Sequence, residues 1–121
     1  MTITIDGVKI NLERETLINE NYRKVISTTN NQQLVLMSLT PGVEIGEEVH
    51  PTTTQFIRVE GGNAVVTLDG TNYKLRDGDA AVIPPGIRHN IRCAKTAEHS
   101  LKLYTIYSPP EHPPGTVQLI R

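Results

Sequence analysis

The sequence predicts an all-β fold, a sandwich or barrel of antiparallel strands, and three observations predict it. Glycine and proline punctuate the chain at Asp6-Gly7, Pro41-Gly42, Gly61-Gly62, Asp69-Gly70, Asp77-Gly78, Pro84-Pro85-Gly86 and Ser108-Pro109-Pro110, as turns between short strands do. The runs between these marks are short and rich in β-branched or alternating residues. Helical periodicity is scarce.

Taken in order, the expected strands are Thr2 to Ile5, Tyr22 to Ser27, Gln33 to Leu39, Gln55 to Glu60, Ala64 to Leu68, Ala80 to Ile83 and Leu101 to Tyr107. Leu12 to Glu20 has room for a turn or two of helix, which Asn19 and Asn21 weaken. Asp69-Gly70 separates Val65-Val66-Thr67-Leu68 from Asn72-Tyr73-Lys74-Leu75. That is a tight-hairpin signal, because both central positions of the favoured turn need a positive φ. Ser108 to Gly115 holds four prolines; it cannot donate a regular ladder and is expected over the surface or across a barrel end.

With 121 residues the chain is expected to form one domain with a single hydrophobic core and no disulfide staples. Lysine and arginine total 12 against 13 acidic residues, a net charge of −1. No global field draws nucleic acid or an anionic membrane, and a small-molecule ligand or substrate is the expected partner. Cys93 is the only cysteine, so an internal disulfide framework is excluded. No apolar run is long enough to cross a bilayer, and no secretory signal pattern is present; a cytoplasmic location is expected.

One constellation carries chemistry. Glu48 and His50 are two apart and share a face of an extended segment. After Pro51 and three threonines, Gln55 shares parity with Ile57 and Val59, while Phe56, Arg58 and Glu60 take the opposite face. The apolar set marks the interior, so Gln55 is expected inside. Pro84-Pro85-Gly86 then turns the chain to deliver His89 to a further strand. Taken singly, each residue has an ordinary explanation: a surface carboxylate, a loop histidine, a turn-satisfying amide, a core histidine bonded to a carbonyl. Convergence is what makes them a candidate metal site.

In these residues the chain resembles the cupin superfamily. The first motif reads Gly46-Glu47-Glu48-Val49-His50, then Gln55 and Gly62; the second reads Gly78, Pro84-Pro85-Gly86 and His89. The resemblance covers about Leu34 to Tyr107 and implies a cupin-type barrel, a double-stranded β-helix or jelly roll. N-terminal strands would occupy residues 1–33 and a proline-rich tail residues 108–121. In the family the first motif usually supplies two histidines and a glutamate, and the second a third histidine. Position by position, Glu48 stands where the first histidine is usual, His50 keeps the second, Gln55 replaces the glutamate and His89 keeps the third. Cys93 occupies a place where asparagine is common.

The resemblance thus implies Glu48, His50, Gln55 and His89 as ligands of a divalent metal. The set keeps a ligand charge of −1 with fewer imidazoles, and two histidines plus one carboxylate match the facial triad of non-haem Fe(II) oxygenases. Fe(II) or Mn(II) is favoured, and Zn(II) or Ni(II) fits intrinsic affinity after purification. The superfamily includes dioxygenases, isomerases, decarboxylases, storage proteins and sensors, so fold does not fix activity. Two readings stand: a metalloenzyme of dioxygenase or sugar-isomerase type acting on a small oxygenated substrate, and a non-enzymatic binding or sensing module. Tyr107 shares parity with Leu101, Leu103 and Thr105, which makes it a candidate acid at the pocket mouth or a core residue with a wet tip. Cys93 reads as a small core residue, His99 as a solvated loop residue, Glu111-His112 as a conjectural lid, and Arg58, Arg88 and Arg92 as anion guides or surface charges. Exposed strand edges near the N-terminus predict a homodimer.

Overall fold

The strand pattern builds two sheets. The structure is a computed structural model that describes residues 7–121; the expected strand Thr2 to Ile5 lies outside the described residues. A short helix α1 (Leu12–Ile18) precedes β1 (Arg23–Thr28), β2 (Gln33–Leu39), β3 (Thr54–Gly61), β4 (Asn63–Leu68), β5 (Thr71–Arg76), β6 (Ala80–Ile83), β7 (His89–Cys93), β8 (Leu101–Ser108) and β9 (Val117–Gln118). One sheet runs β6-β3-β8-β2-β1-β9 and the other β5-β4-β7. Every named strand pair is antiparallel, the jelly-roll arrangement that the sequence implies.

Local chemistry explains the corners. Asn11 caps α1 by accepting from the Arg14 amide at 3.1 Å, and Glu13 and Glu15 sit in the first turn, where the helix dipole favours negative charge. Asn19 ends the helix by turning its carboxamide onto Asn21. Asp69 and Gly70 take φ of 48° and 85°, the two positive values that the hairpin demands. At the end of β3, Gly62 has φ +75°, and a Cβ there would lie 2.6 Å from the Ser100 carbonyl oxygen.

The core lies between the sheets. Val35, Met37, Leu39, Ile57, Val59, Leu101 and Leu103 point inward from the larger sheet, and Ala64, Val66, Ile91 and Cys93 from the smaller. The parity of Gln55, Ile57 and Val59 holds, with all three buried. Glu60 departs from it. A register shift between Val59 and Gly61 interrupts the alternation, so Glu60 is buried and pairs with Arg58 instead of facing solvent.

Two segments outside the main ladders position the site. Residues 42–48 run beside β7, joined by Gly42 N–H to the Cys93 carbonyl, Ile45 N–H to the Ile91 carbonyl and a reciprocal pair between Glu48 and His89. The proline-rich tail makes no ladder until Val117–Gln118, which pairs with Arg23 and Lys24. The outer edge of β1, expected to be open, is therefore covered over those two residues. Among the described residues no helix is long and apolar enough to cross a membrane.

Candidate metal centre

Glu48 and His89 face each other across a two-strand bridge, with Glu48 N–H to the His89 carbonyl at 2.8 Å and His89 N–H to the Glu48 carbonyl at 2.9 Å. His50 lies two residues further along, and its carbonyl accepts from the Gly86 amide at 2.8 Å. Gly86 has φ +82° in the Pro84-Pro85-Gly86 turn, so that turn is fastened to His50 while it delivers His89. Beyond the next turn β3 carries Gln55 inward, opposite Ile83 of β6 and Tyr107 of β8.

These elements bring Glu48, His50 and His89 together: one ligand atom from each lies within 4.8 Å of the others. Nε2 of His50 is 3.8 Å from Oε2 of Glu48, and the two imidazole rings are tilted at 5.1 Å between centroids. His89 is 2% exposed, the His50 side chain 11% and the Glu48 side chain 38%, so the carboxylate enters from the wetter side.

The hydrogen-bond pattern gives this cluster its chemical character. His89 Nδ1 lies 2.9 Å from the Ile87 carbonyl, to which it donates, leaving a lone pair on Nε2. His50 Nδ1 lies 3.5 Å from Oε1 of Glu111. Gln55 donates from Nε2 to the Thr105 hydroxyl at 3.1 Å. The remaining atoms, Nε2 of His50, Nε2 of His89 and Oε1 of Gln55, are buried with no hydrogen-bond partner in the protein. An unsatisfied buried polar atom costs about 1–3 kcal/mol. Two buried imidazole nitrogens and an amide oxygen, beside a carboxylate, form a set of atoms suited to holding a divalent metal.

The other expected residues fall into place around it. Tyr107 is 3% exposed, with its ring edge-on to His50 at 5.9 Å and its hydroxyl 3.4 Å from Nε2 of His112. Burial pushes its phenol well above the usual range, against the opposing charge of Arg23. Burial also pushes His112 down to about 4, helped by Arg23 and opposed by Glu111. Cys93 is a core residue whose thiol is raised by burial, and His99 is exposed. Arg58 pairs with Glu60 and Arg88 with Glu47, and Arg92 is exposed; all three are peripheral charges.

Four contributors carried weaker signals. Glu111 and His112 stood out only as a polar pair among prolines, yet they reach His50 and Tyr107. Thr105 was legible as an inward residue by parity, but its hydrogen bond to Gln55 was not. Gln33, fully buried at 0%, had no distinguishing signal at the start of its strand.

The family profile described as "Cupin domain" matches residues 35–107. This chain belongs to the cupin family. The cupin is 47% identical over 116 residues to protein L612 of Acanthamoeba polyphaga mimivirus, covering 93% of this chain and 71% of that one. Its fold is similar to the crystal structure of BH2720 from Bacillus halodurans, with a TM-score of 0.92 and 37% identity over 96% of this chain and 91% of that one. Similarity to quercetin 2,3-dioxygenase of Bacillus subtilis is 34% over 101 residues, 73% of this chain but 30% of that protein. Within the cupin pattern Glu48 and Gln55 are departures, and the geometry accommodates both: Glu48 joins the histidines, and the carboxamide oxygen of Gln55 is left free inside the barrel.

Proposed function

We propose that this cupin is a divalent-metal enzyme acting on a small oxygenated substrate, with Glu48, His50 and His89 as ligands and Gln55 as a fourth donor or orienter. The observation that carries the reading is the set of buried, partnerless atoms on His50, His89 and Gln55 beside the Glu48 carboxylate. Two histidines and one carboxylate leave open positions for substrate or O2, and the oxygen-rich set favours Fe(II) or Mn(II) over Zn(II) or Ni(II). When bound, the ion supplies a Lewis acid that holds substrate oxygens and stabilises developing negative charge. The chain's own residues supply the rest. Tyr107 keeps its proton on Oη at neutral pH, and neutral His112 offers a lone pair to it. The buried walls exclude water from the imidazole side. The likeness to quercetin 2,3-dioxygenase supports O2-dependent oxidation ahead of isomerisation.

A second reading, a non-enzymatic module that binds a metal or small ligand, has its own support. Gln55 replaces the family's usual carboxylate, and the tail residues Glu111 and His112 lie against the site. A cytoplasmic setting and action as a homodimer belong to the same proposal.

Elemental analysis of untagged protein before and after reconstitution tests the metal, and oxygen uptake with candidate sugars, diketones and phenols tests the enzyme. We expect stoichiometric divalent metal, with occupancy reduced in Glu48→Ala and in His89→Ala. Protein that takes up no metal after reconstitution sinks the proposal. Metal binding without turnover selects the second reading.

A further inference from the structure

We infer that Glu111 is a positioning residue for the metal centre, reaching in from the C-terminal tail to hold the proton of His50 on Nδ1 and so keep the Nε2 lone pair directed inward. The inference rests on the metal-binding reading of Glu48, His50 and His89. Two carboxylates approach opposite nitrogens of one ring: Glu48 Oε2 lies 3.8 Å from Nε2 and Glu111 Oε1 lies 3.5 Å from Nδ1. Glu48 belongs to the converging donor set, whereas Glu111 faces the outer nitrogen and is placed to orient.

His89 shows why orientation matters. Its Nδ1 is held by the Ile87 carbonyl at 2.9 Å, a backbone acceptor that settles the tautomer without help from any side chain. His50 has no backbone acceptor at Nδ1, and Glu111 occupies that position. An isolated neutral imidazole in water prefers its proton on Nε2, which would block the inward lone pair. A ring that ligates through one nitrogen commonly donates from the other to a carboxylate or carbonyl, which fixes the tautomer and raises ligand basicity.

Glu111 is delivered by a built clamp. The fully buried Gln33 accepts from the amides of Glu111 and His112 at 3.2 and 3.0 Å, and donates to the His112 carbonyl at 2.8 Å and the Thr28 hydroxyl at 2.9 Å. Pro109-Pro110 and Pro113-Pro114 flank the clamped pair and restrict φ on both sides. His112 adds a second contact, edge-on to Tyr107 with centroids 5.2 Å apart. The Glu111 side chain is 27% exposed, so water screens its contact with His50 only in part.

Long-range 1H–15N correlation spectra of the metal-free protein, at a pH where both imidazoles are neutral, read the tautomers directly. We expect His50 and His89 both as Nδ1–H in the wild type. In Glu111→Ala, His50 should shift toward Nε2–H while His89 stays unchanged as an internal control. Zn(II) affinity, measured by chelator competition, should weaken about 10- to 100-fold in the same variant. If Glu111→Ala alters the far-UV circular dichroism, Glu111→Gln removes the charge at nearly constant volume and should move both readouts in the same direction. An unmoved His50 tautomer, or an unchanged Zn(II) affinity, overturns the inference. Loss of metal in His89→Ala alongside either result would leave the metal site standing and remove only Glu111 from it; a wild type that binds no metal removes the site itself.

Discussion

At the scale of the residue, Gln55 shows how one amide changes the demands of a site. Its nitrogen is bonded to Thr105 and its oxygen is buried without a partner. A glutamate at this position would offer the ion a second charge, but without metal it would leave an unpaired carboxylate in the core. Gln55→Glu should therefore tighten divalent metal binding and lower metal-free stability by about 3–5 kcal/mol at pH 8, the cost of a buried charge without a partner. Urea unfolding with and without metal measures both effects, because a ligand that binds only the folded state raises its stability. If added metal fails to restore the lost stability, Gln55 does not face the ion. The sign also explains why the amide suits the metal-free protein: it is neutral, so only a hydrogen bond is left unmade.

At the scale of the element, the corners between strands decide whether the site assembles. Gly62 follows β3 and sits at φ +75° with the Ser100 carbonyl 2.6 Å from where a Cβ would stand. Gly62→Ala meets two penalties, a left-handed conformation worth about 1–3 kcal/mol and a backbone clash that no side-chain movement relieves. We expect a loss of at least the first amount, read as a lower urea midpoint with an unchanged slope. Wild-type stability in this variant would mean that the corner is not as drawn. The Asp69-Gly70 hairpin was legible because its chemistry is local. The 42–48 segment was not, because its bonds run to β7, more than forty residues away, and only the paired positions of Glu48 and His89 reveal it.

At the scale of the whole molecule, β6 and β5 are edge strands that carry exposed apolar residues. β6 ends the six-stranded sheet with Val82 59% exposed, and β5 ends the smaller sheet with Tyr73 49% exposed. Open apolar edges favour pairing with another chain. We therefore expect a homodimer, with β6 and β5 as the available edges because β9 already covers part of β1. Light scattering should give twice the 13.4 kDa chain mass; a species at the single-chain mass alone refutes it.

Alternation and turn residues determined the strands, their inward faces and the family pattern, because each depends on neighbours a few residues apart. Glu48, His50, Gln55 and His89 were named from that information together with the family resemblance. Parity misplaced Glu60, since a register shift depends on how β3 meets β8. Only the tertiary structure decided that the Ile87 carbonyl leaves Nε2 of His89 free and that Gln33 fastens the tail against the barrel. It alone brought Glu111 to His50 across sixty residues of chain. Those outcomes depend on hydrogen-bond partners supplied by distant segments, which no local pattern encodes.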